Sequence, residues 1–294
     1  MGNLTVQYAP ASSGLYATPP DVPNCLEGSL TDEAKQRALY TLNFIRALVG
    51  LPPVGYDPAS DPMVQKASLM FAANNAIDHF PPTSWACYTA EGAEGAKKSN
   101  LAIKSSSAPI TPLPGEFIVL WADDVNVSKL GHRRWLVDPF LKHVAFGLVD
   151  GSPLVGGAAF SVGSAIRVIY AEEADISNLA LPFVAYPRGE FPTALLTNDW
   201  FFSFGVLADP SGRFNNGDVD YSQAQIRVTD PSGAALSVTE VSFTDPNPTS
   251  VMGLPNHLQW KVPGLQDGVT YTVTITNVRV NGTPQDFSYT VHLR

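Results

Sequence analysis

Apolar residues recur at helical spacing through Ala34, Ala38, Leu42, Ile45 and Val49, which marks one buried face of a first helix. Thr31-Asp32-Glu33 supplies a capping hydroxyl and first-turn acids ahead of it, and Gly50 with Pro52-Pro53 stops it. A second helix opens at Asp61-Pro62, with Met63, Ala67, Met70 and Ile77 on its buried side, and runs to the proline pair Pro81-Pro82. On that reading Asn75 and His79 are neighbours on one face and His79 stands in the last turn. Residues 80–115 hold Trp85, Cys87, Tyr88 and then Gly/Ala/Lys/Ser-rich and Ser/Pro-rich passages, which read as irregular structure. A third helix is predicted from residue 114 to about residue 126, because Phe117, Leu120, Trp121 and Asp124 fit its period.

After His132 the pattern turns to β. Residues 144–149 and 165–170, with the turn Asp150-Gly151-Ser152 between them, predict a small antiparallel sheet, and helices followed by such a sheet make an α+β domain. Pro182, Pro187 and Gly189 interrupt the pattern between about residues 174 and 189. Beyond them lie strand-like runs at 201–204, 224–229, 238–243, 258–262, 270–276 and 287–293, separated by two Asp-Pro-Ser-Gly turns and Asn281-Gly282. That spacing predicts a β-sandwich, and Gly268-Val269-Thr270-Tyr271-Thr272-Val273 resembles the tyrosine-bearing strand of fibronectin type III and immunoglobulin-like modules. The expected organisation is an extended arm at 1–28, an α+β domain at 29–185 and a β-sandwich at 186–294.

Composition narrows the functional classes. A net charge of -9, with only the short basic runs Lys97-Lys98 and Arg133-Arg134, speaks against binding nucleic acid or anionic membranes. No run approaches the roughly 20 apolar residues of a membrane span, and Met1-Gly2-Asn3 lacks the regions of a signal peptide, so the start reads as that of a mature form. Cys25 and Cys87 are the whole cysteine supply. They form either one disulfide or two buried thiols; neither sits in an apolar periodic run, which favours the disulfide and an oxidising, extracytoplasmic compartment.

The chemistry-bearing residues cluster in the first domain. Trp121-Ala122-Asp123-Asp124 precedes Gly131-His132-Arg133-Arg134-Trp135, and His79 and Ser99 lie upstream. Three accounts are open. His79, His132 and Asp124 are the minimum inner shell of an open zinc site that could acidify water for hydrolysis. Ser99 could be a nucleophile with His79 or His132 as base and Asp124 as orienter. Both histidines could instead simply hold helix ends and loops within a structural polar cluster. Arg133-Arg134 could hold an anionic ligand, although paired arginines are more often solvated or bridged to acids such as Asp123 and Asp138. His143, His257 and His292 have no partner at ligand spacing and read as surface or structural.

In order along the chain, Leu42-Asn43-Phe44-Ile45-Arg46 with its exit Gly50-Leu51-Pro52-Pro53-Val54, then His79, Ser99-Asn100-Leu101-Ala102, Trp121-Ala122-Asp123-Asp124 and Gly131-His132-Arg133-Arg134-Trp135, resemble the CAP superfamily of cysteine-rich secretory, antigen 5 and pathogenesis-related proteins, in its bacterial form. The resemblance covers roughly residues 29–172. It implies an α-β-α sandwich with a central cleft in which His79, Asp124 and His132 match family positions able to hold zinc. Ser99 stands where the family usually has an acid, and Asp124 is one methylene shorter than the usual glutamate, which implies weaker metal binding. The expected function is that of a secreted or extracytoplasmic protein, in the periplasm or at the cell surface, which binds a metal ion, a small-molecule, lipid, peptide or cell-envelope ligand, or a protein partner through this cleft, with the β-sandwich as an accessory module. The alternative is a metal-assisted hydrolase.

Overall fold

The computed structural model describes residues 14–124, 128–196 and 200–294. The N-terminal half forms β1 (Tyr16–Thr18), β2 (Ser29–Leu30), α1 (Asp32–Leu48), β3 (Gly55–Tyr56), α2 (Asp61–Asn74), α3 (Ala90–Lys97), β4 (Ser99–Ser106), α4 (Pro114–Asp123), α5 (Gly131–Leu136), β5 (His143–Gly151) and β6 (Phe160–Arg167). The remainder is strand: β7 (Phe183–Tyr186), β8 (Gly189–Phe191), β9 (Phe201–Val206), β10 (Val219–Asp220), β11 (Gln225–Thr229), β12 (Ala235–Leu236), β13 (Thr239–Phe243), β14 (Leu258–Lys261), β15 (Thr270–Val280) and β16 (Thr283–Leu293). The fold is α+β with an all-β C-terminal part, as the pattern predicts. Two compact units emerge. One gathers the described residues up to Ala38 with Asp57–Phe117 and Ala145–Arg167; the other holds Leu39–Tyr56, Ile118–Val144 and Val168–Arg294.

Helix α1 follows its sequence pattern. Thr31 Oγ1 accepts from the Ala34 amide at 3.2 Å, and Ala34, Ala38, Leu42, Ile45 and Val49 are all buried. Helix α2 departs from its pattern at the C-terminus. Asn75 takes a left-handed conformation (φ 49°) and donates its amide to the Phe71 carbonyl, ending the helix there. His79 therefore lies in the following loop rather than in a last helical turn, and Ile77 is exposed instead of facing the core.

In the first unit, β4 and β5 flank β6 in antiparallel register, with Ser99 opposite Arg167 and Gly147 opposite Ala165. Glycines let α2 lie against this sheet. A Cβ on Gly163 would fall 2.3 Å from the Ser68 carbonyl oxygen, and one on Gly147 would fall 2.4 Å from that of Val64. Gln65, buried on the same helix, bonds both the amide and the carbonyl of Leu148. Where the sequence reads as irregular, α3 and β4 form. Thr89 caps α3 by accepting from the Gly92 amide at 3.0 Å, and Gly95 admits the Met63 carbonyl, 2.4 Å from where a Cβ would stand. The arm expected at 1–28 is described from residue 14 on; there β1 pairs with β2, and Cys25 is disulfide-bonded to Cys87.

In the second unit, β3 pairs in parallel with the start of β5, Gly55 opposite His143. The β-rich part is a two-sheet sandwich. One sheet runs β13-β14-β9-β7 and the other β12-β11-β15-β16-β8, with β10 also paired to β15. The pairings are antiparallel except for β8, which runs parallel to β16. Strands β7 and β8 fall in a stretch read from sequence as interrupted; the expected domain start at residue 186 is the last residue of β7. Facing aromatics fill the space between sheets, Phe183 lying 5.7 Å from Phe287 and Phe204 5.3 Å from it, centroid to centroid. Trp200, Phe202, Phe204 and Trp260 are buried, whereas Phe201 is half-buried, with the Lys261 ammonium 4.7 Å from its ring centroid. The Tyr271 hydroxyl accepts from the Gln266 amide at 2.8 Å. Among the described residues no helix is long and apolar enough to cross a membrane.

Two stability tests follow from the first unit. Gly163→Ala drives a methyl into helix backbone and should cost about 1–3 kcal/mol, read as a lower urea midpoint at unchanged slope. The disulfide closes a separation of 62 residues, so a Cys25→Ser/Cys87→Ser double variant should lose about 4 kcal/mol if chain entropy governs.

Candidate functional site

The Gly-His-Arg-Arg-Trp motif forms the six-residue helix α5. So short a helix has no stability of its own, and its first amides need acceptors from elsewhere. Leu130, the residue before it, is left-handed and provides no side-chain cap. Asp124 does this from eight residues upstream. Its Oδ2 accepts the amides of His132 at 2.8 Å and Arg133 at 3.2 Å, and its Oδ1 accepts His132 Nδ1–H at 2.9 Å. Asp124 itself is left-handed (φ 54°), a conformation uncommon for a residue with a side chain and one that aspartate tolerates better than most. The carboxylate is 1% exposed and the imidazole 20% exposed. Because a carboxylate can only accept, the contact assigns the His132 proton to Nδ1 and makes Nε2 the basic nitrogen.

The two arginines of the motif are interior groups. Arg133 donates to the carbonyls of Ala122 at 2.5 Å, Asp123 at 2.7 Å and Phe201 at 2.6 Å, and to Ser203 Oγ at 3.4 Å, while its guanidinium lies 4.5 Å from the Tyr186 ring centroid. It thus joins the end of α4 to β9 and β7, and its link to Asp123 runs through the backbone rather than through the carboxylate. Arg134 donates to the Leu254 carbonyl at 2.8 Å. Burial lowers both guanidinium pKa values, that of Arg134 to about 10. Asp138 belongs instead to Arg213, at 2.7 Å, and Arg213 also reaches Glu173 at 3.2 Å. Burial pushes the Asp138 carboxyl upward and the Arg213 charge opposes that shift. Arg46 completes the cluster, donating to the carbonyls of Pro52, Leu136 and Asp138. The role of Asp138, Arg213 and Arg46 as a buried cluster was not visible in the sequence, where they lie in separate and unremarkable contexts.

His79 and Ser99 belong to the first unit. His79 is exposed, and its Nδ1 donates to the Ala96 carbonyl at 3.0 Å, so its Nε2 is likewise the basic nitrogen. Ser99, expected in a loop, opens β4; its hydroxyl is buried and has no hydrogen-bond partner among the described residues. Among the four candidates, Asp124 and His132 are brought into direct contact. Of the other histidines, His257 is buried, bonds Gln259 at 2.9 Å and is held well below its usual pKa by desolvation first and by Arg134 second; His292 bonds the Thr270 hydroxyl at 2.8 Å. Among the described residues no group of three or more His, Cys, Asp or Glu side chains is placed to hold a metal ion. Asp124 in particular holds an orienting position, with both oxygens engaged by α5.

The model of the cysteine-rich secretory protein family, CAP, matches residues 39–162. No curated protein matches the chain. The matched stretch contains His79, Ser99, Asp124 and His132.

A lysine cannot reproduce the planar fork that reaches three carbonyls from Arg133. Arg133→Lys should therefore lower stability by about 2–4 kcal/mol, through acceptors left unmet in the interior. A fall in the urea midpoint smaller than that of a surface lysine swap would show the cage to be dispensable.

Proposed function

We propose, from the match of residues 39–162 to the CAP family model, that this chain is an extracytoplasmic binding protein whose ligand is contacted by His132, with Asp124 as the residue that orients the ring. The observation that carries this reading is the Asp124 Oδ1 to His132 Nδ1 hydrogen bond of 2.9 Å. A carboxylate behind an imidazole fixes its tautomer and ring orientation, and so makes Nε2 the nitrogen suited to accept a hydrogen bond from a ligand. The disulfide between Cys25 and Cys87 supports a location outside the reducing cytoplasm. Binding ranks ahead of hydrolysis because the described residues do not fit a preformed zinc centre. Asp124 is spent on capping α5, and Ser99 offers a neutral, buried hydroxyl where an anionic ligand would be needed. The rival reading, a metal-assisted hydrolase, would require zinc at stoichiometric level.

Imidazole NMR of the full chain, titrated separately with zinc chloride, phospholipid micelles and soluble cell-wall glycopeptide, tests the assignment. The expected result is a saturable shift of the His132 ring with one of these probes, and an affinity reduced about 10–100-fold in Asp124→Asn, as for other partners that orient a histidine. A His132→Gln protein that binds as tightly as the natural chain would sink the proposal. Zinc that survives dialysis at one equivalent, together with hydrolysis lost in His79→Ala and His132→Ala, would replace it with the enzyme reading.

A further inference from the structure

Behind α5, in the same compact unit, lies a small cavity of about 30 Å³, lined by Arg134, Ser203, Phe204, Leu254, Asn256 and His257 among others. That is room for one or two species the size of water. Arg134 is the charged side chain in that lining, and the buried charges of the unit as a whole are unbalanced in sign. Among the described residues the buried charged side chains are Arg46, Arg133, Arg134 and Arg213 against Asp124 and Asp138, four cations to two anions. Glu173, at the edge, serves Arg213. Arg134 has the Leu254 carbonyl as an acceptor at 2.8 Å, and its Nε–H has none among the described residues, although the residue is only 6% exposed.

The other polar groups around the cavity do not meet that donor. The Asn256 carboxamide is fully engaged, donating to Val206 and Asn216 carbonyls and accepting from the Val206 amide and the Tyr221 hydroxyl. Ser203 Oγ accepts from Arg133 and keeps its own hydrogen to donate. Among the described residues no carboxylate lines the space. A buried donor without an acceptor, beside an excess of interior positive charge, costs stability in proportion to its desolvation. A water molecule would satisfy the hydrogen bond but leave the charge. A small monovalent anion would do both.

We propose that this cavity is a structural anion site, filled by chloride or an ion of its size, with Arg134 Nε and the Ser203 hydroxyl as donors. The site is separate from the Asp124–His132 pair and does not depend on the ligand-binding reading. Its consequence is that the contact between α5 and the sandwich is chloride-dependent.

Two measurements decide the matter. Thermal unfolding of the full chain at constant ionic strength, with chloride replaced stepwise by gluconate, should show a saturable rise in Tm of a few degrees as chloride increases, because a ligand bound to the folded state alone stabilises it by mass action. Bromide soaked into crystals should give an anomalous peak at hydrogen-bond distance from Arg134 Nε. Ser203→Val, which fills the space while leaving the arginine in place, should abolish the chloride response; Arg134→Met should do so too where it folds. A water without anomalous signal, or a Tm indifferent to the exchange, overturns the proposal. A bromide peak without saturable stabilisation also overturns it, as an adventitious ion only.

Discussion

The structure of the second unit turns on one charged group placed where water cannot reach it. Arg133 takes its acceptors from the last carbonyls of α4 and from β9, so the helix end, the motif helix and the sandwich share one donor. A guanidinium is suited to this, because its donors form a rigid planar fork and it stays charged in an apolar setting. The cation is acceptable there because C-terminal carbonyls of a helix carry partial negative charge, and because Asp124 lies close enough to act on it electrostatically. The glycines on either side serve the same closeness. A Cβ on Gly131 would meet the Met252 sulfur at 2.5 Å, and one on Gly253 would meet the Arg134 carbonyl oxygen at 2.2 Å.

In the first unit the comparable constraint is steric. Helix α2 lies against β5 and β6 at positions where two strand glycines remove side chains, and α3 lies against α2 where Gly92 and Gly95 do the same. Backbone approach of this kind is dry and rigid, and it trades side-chain packing for proximity. The glycines that build α3 are also what hide it from view.

This explains which elements were legible in the sequence. Helix α1 and the later sandwich strands carry strong periodicities set by burial on one face, and their turns contain the residues that turns require, so pattern and structure coincide. Segment Ala90-Glu91-Gly92-Ala93-Glu94-Gly95 carries two poor helix formers and little apolar surface, and its helix is imposed by packing. Strand β4 begins with buried but largely polar or small residues, so alternation is weak. β7 and β8 are short and divided at a Tyr186-Pro187 bond, and proline there reads as a break although each strand pairs in its own sheet. The disulfide was legible because neither cysteine sits in an apolar periodic run that would bury it as a thiol. The ordering of His79, Asp124 and His132 along the chain was legible too, but the part played by Asp124 was not. Nothing in the sequence separates a carboxylate that faces a ligand from one that caps a helix eight residues away.

That last distinction bears on how the site works. Asp124 gives one oxygen to the backbone of α5 and the other to the imidazole of His132, so the same carboxylate stabilises the helix start and sets the ring. A ligand that draws on Nε2 increases the positive character of the ring and strengthens its hold on Oδ1. The same helix is fastened on its other side by Arg133 and Arg134 to β9 and to the Leu254 carbonyl. On the proposed reading, ligand occupancy and the stability of the helix–sandwich contact would be linked through Asp124, and linkage of this kind is reciprocal: whatever secures α5 against the sandwich would also favour the orientation of His132 that Asp124 sets.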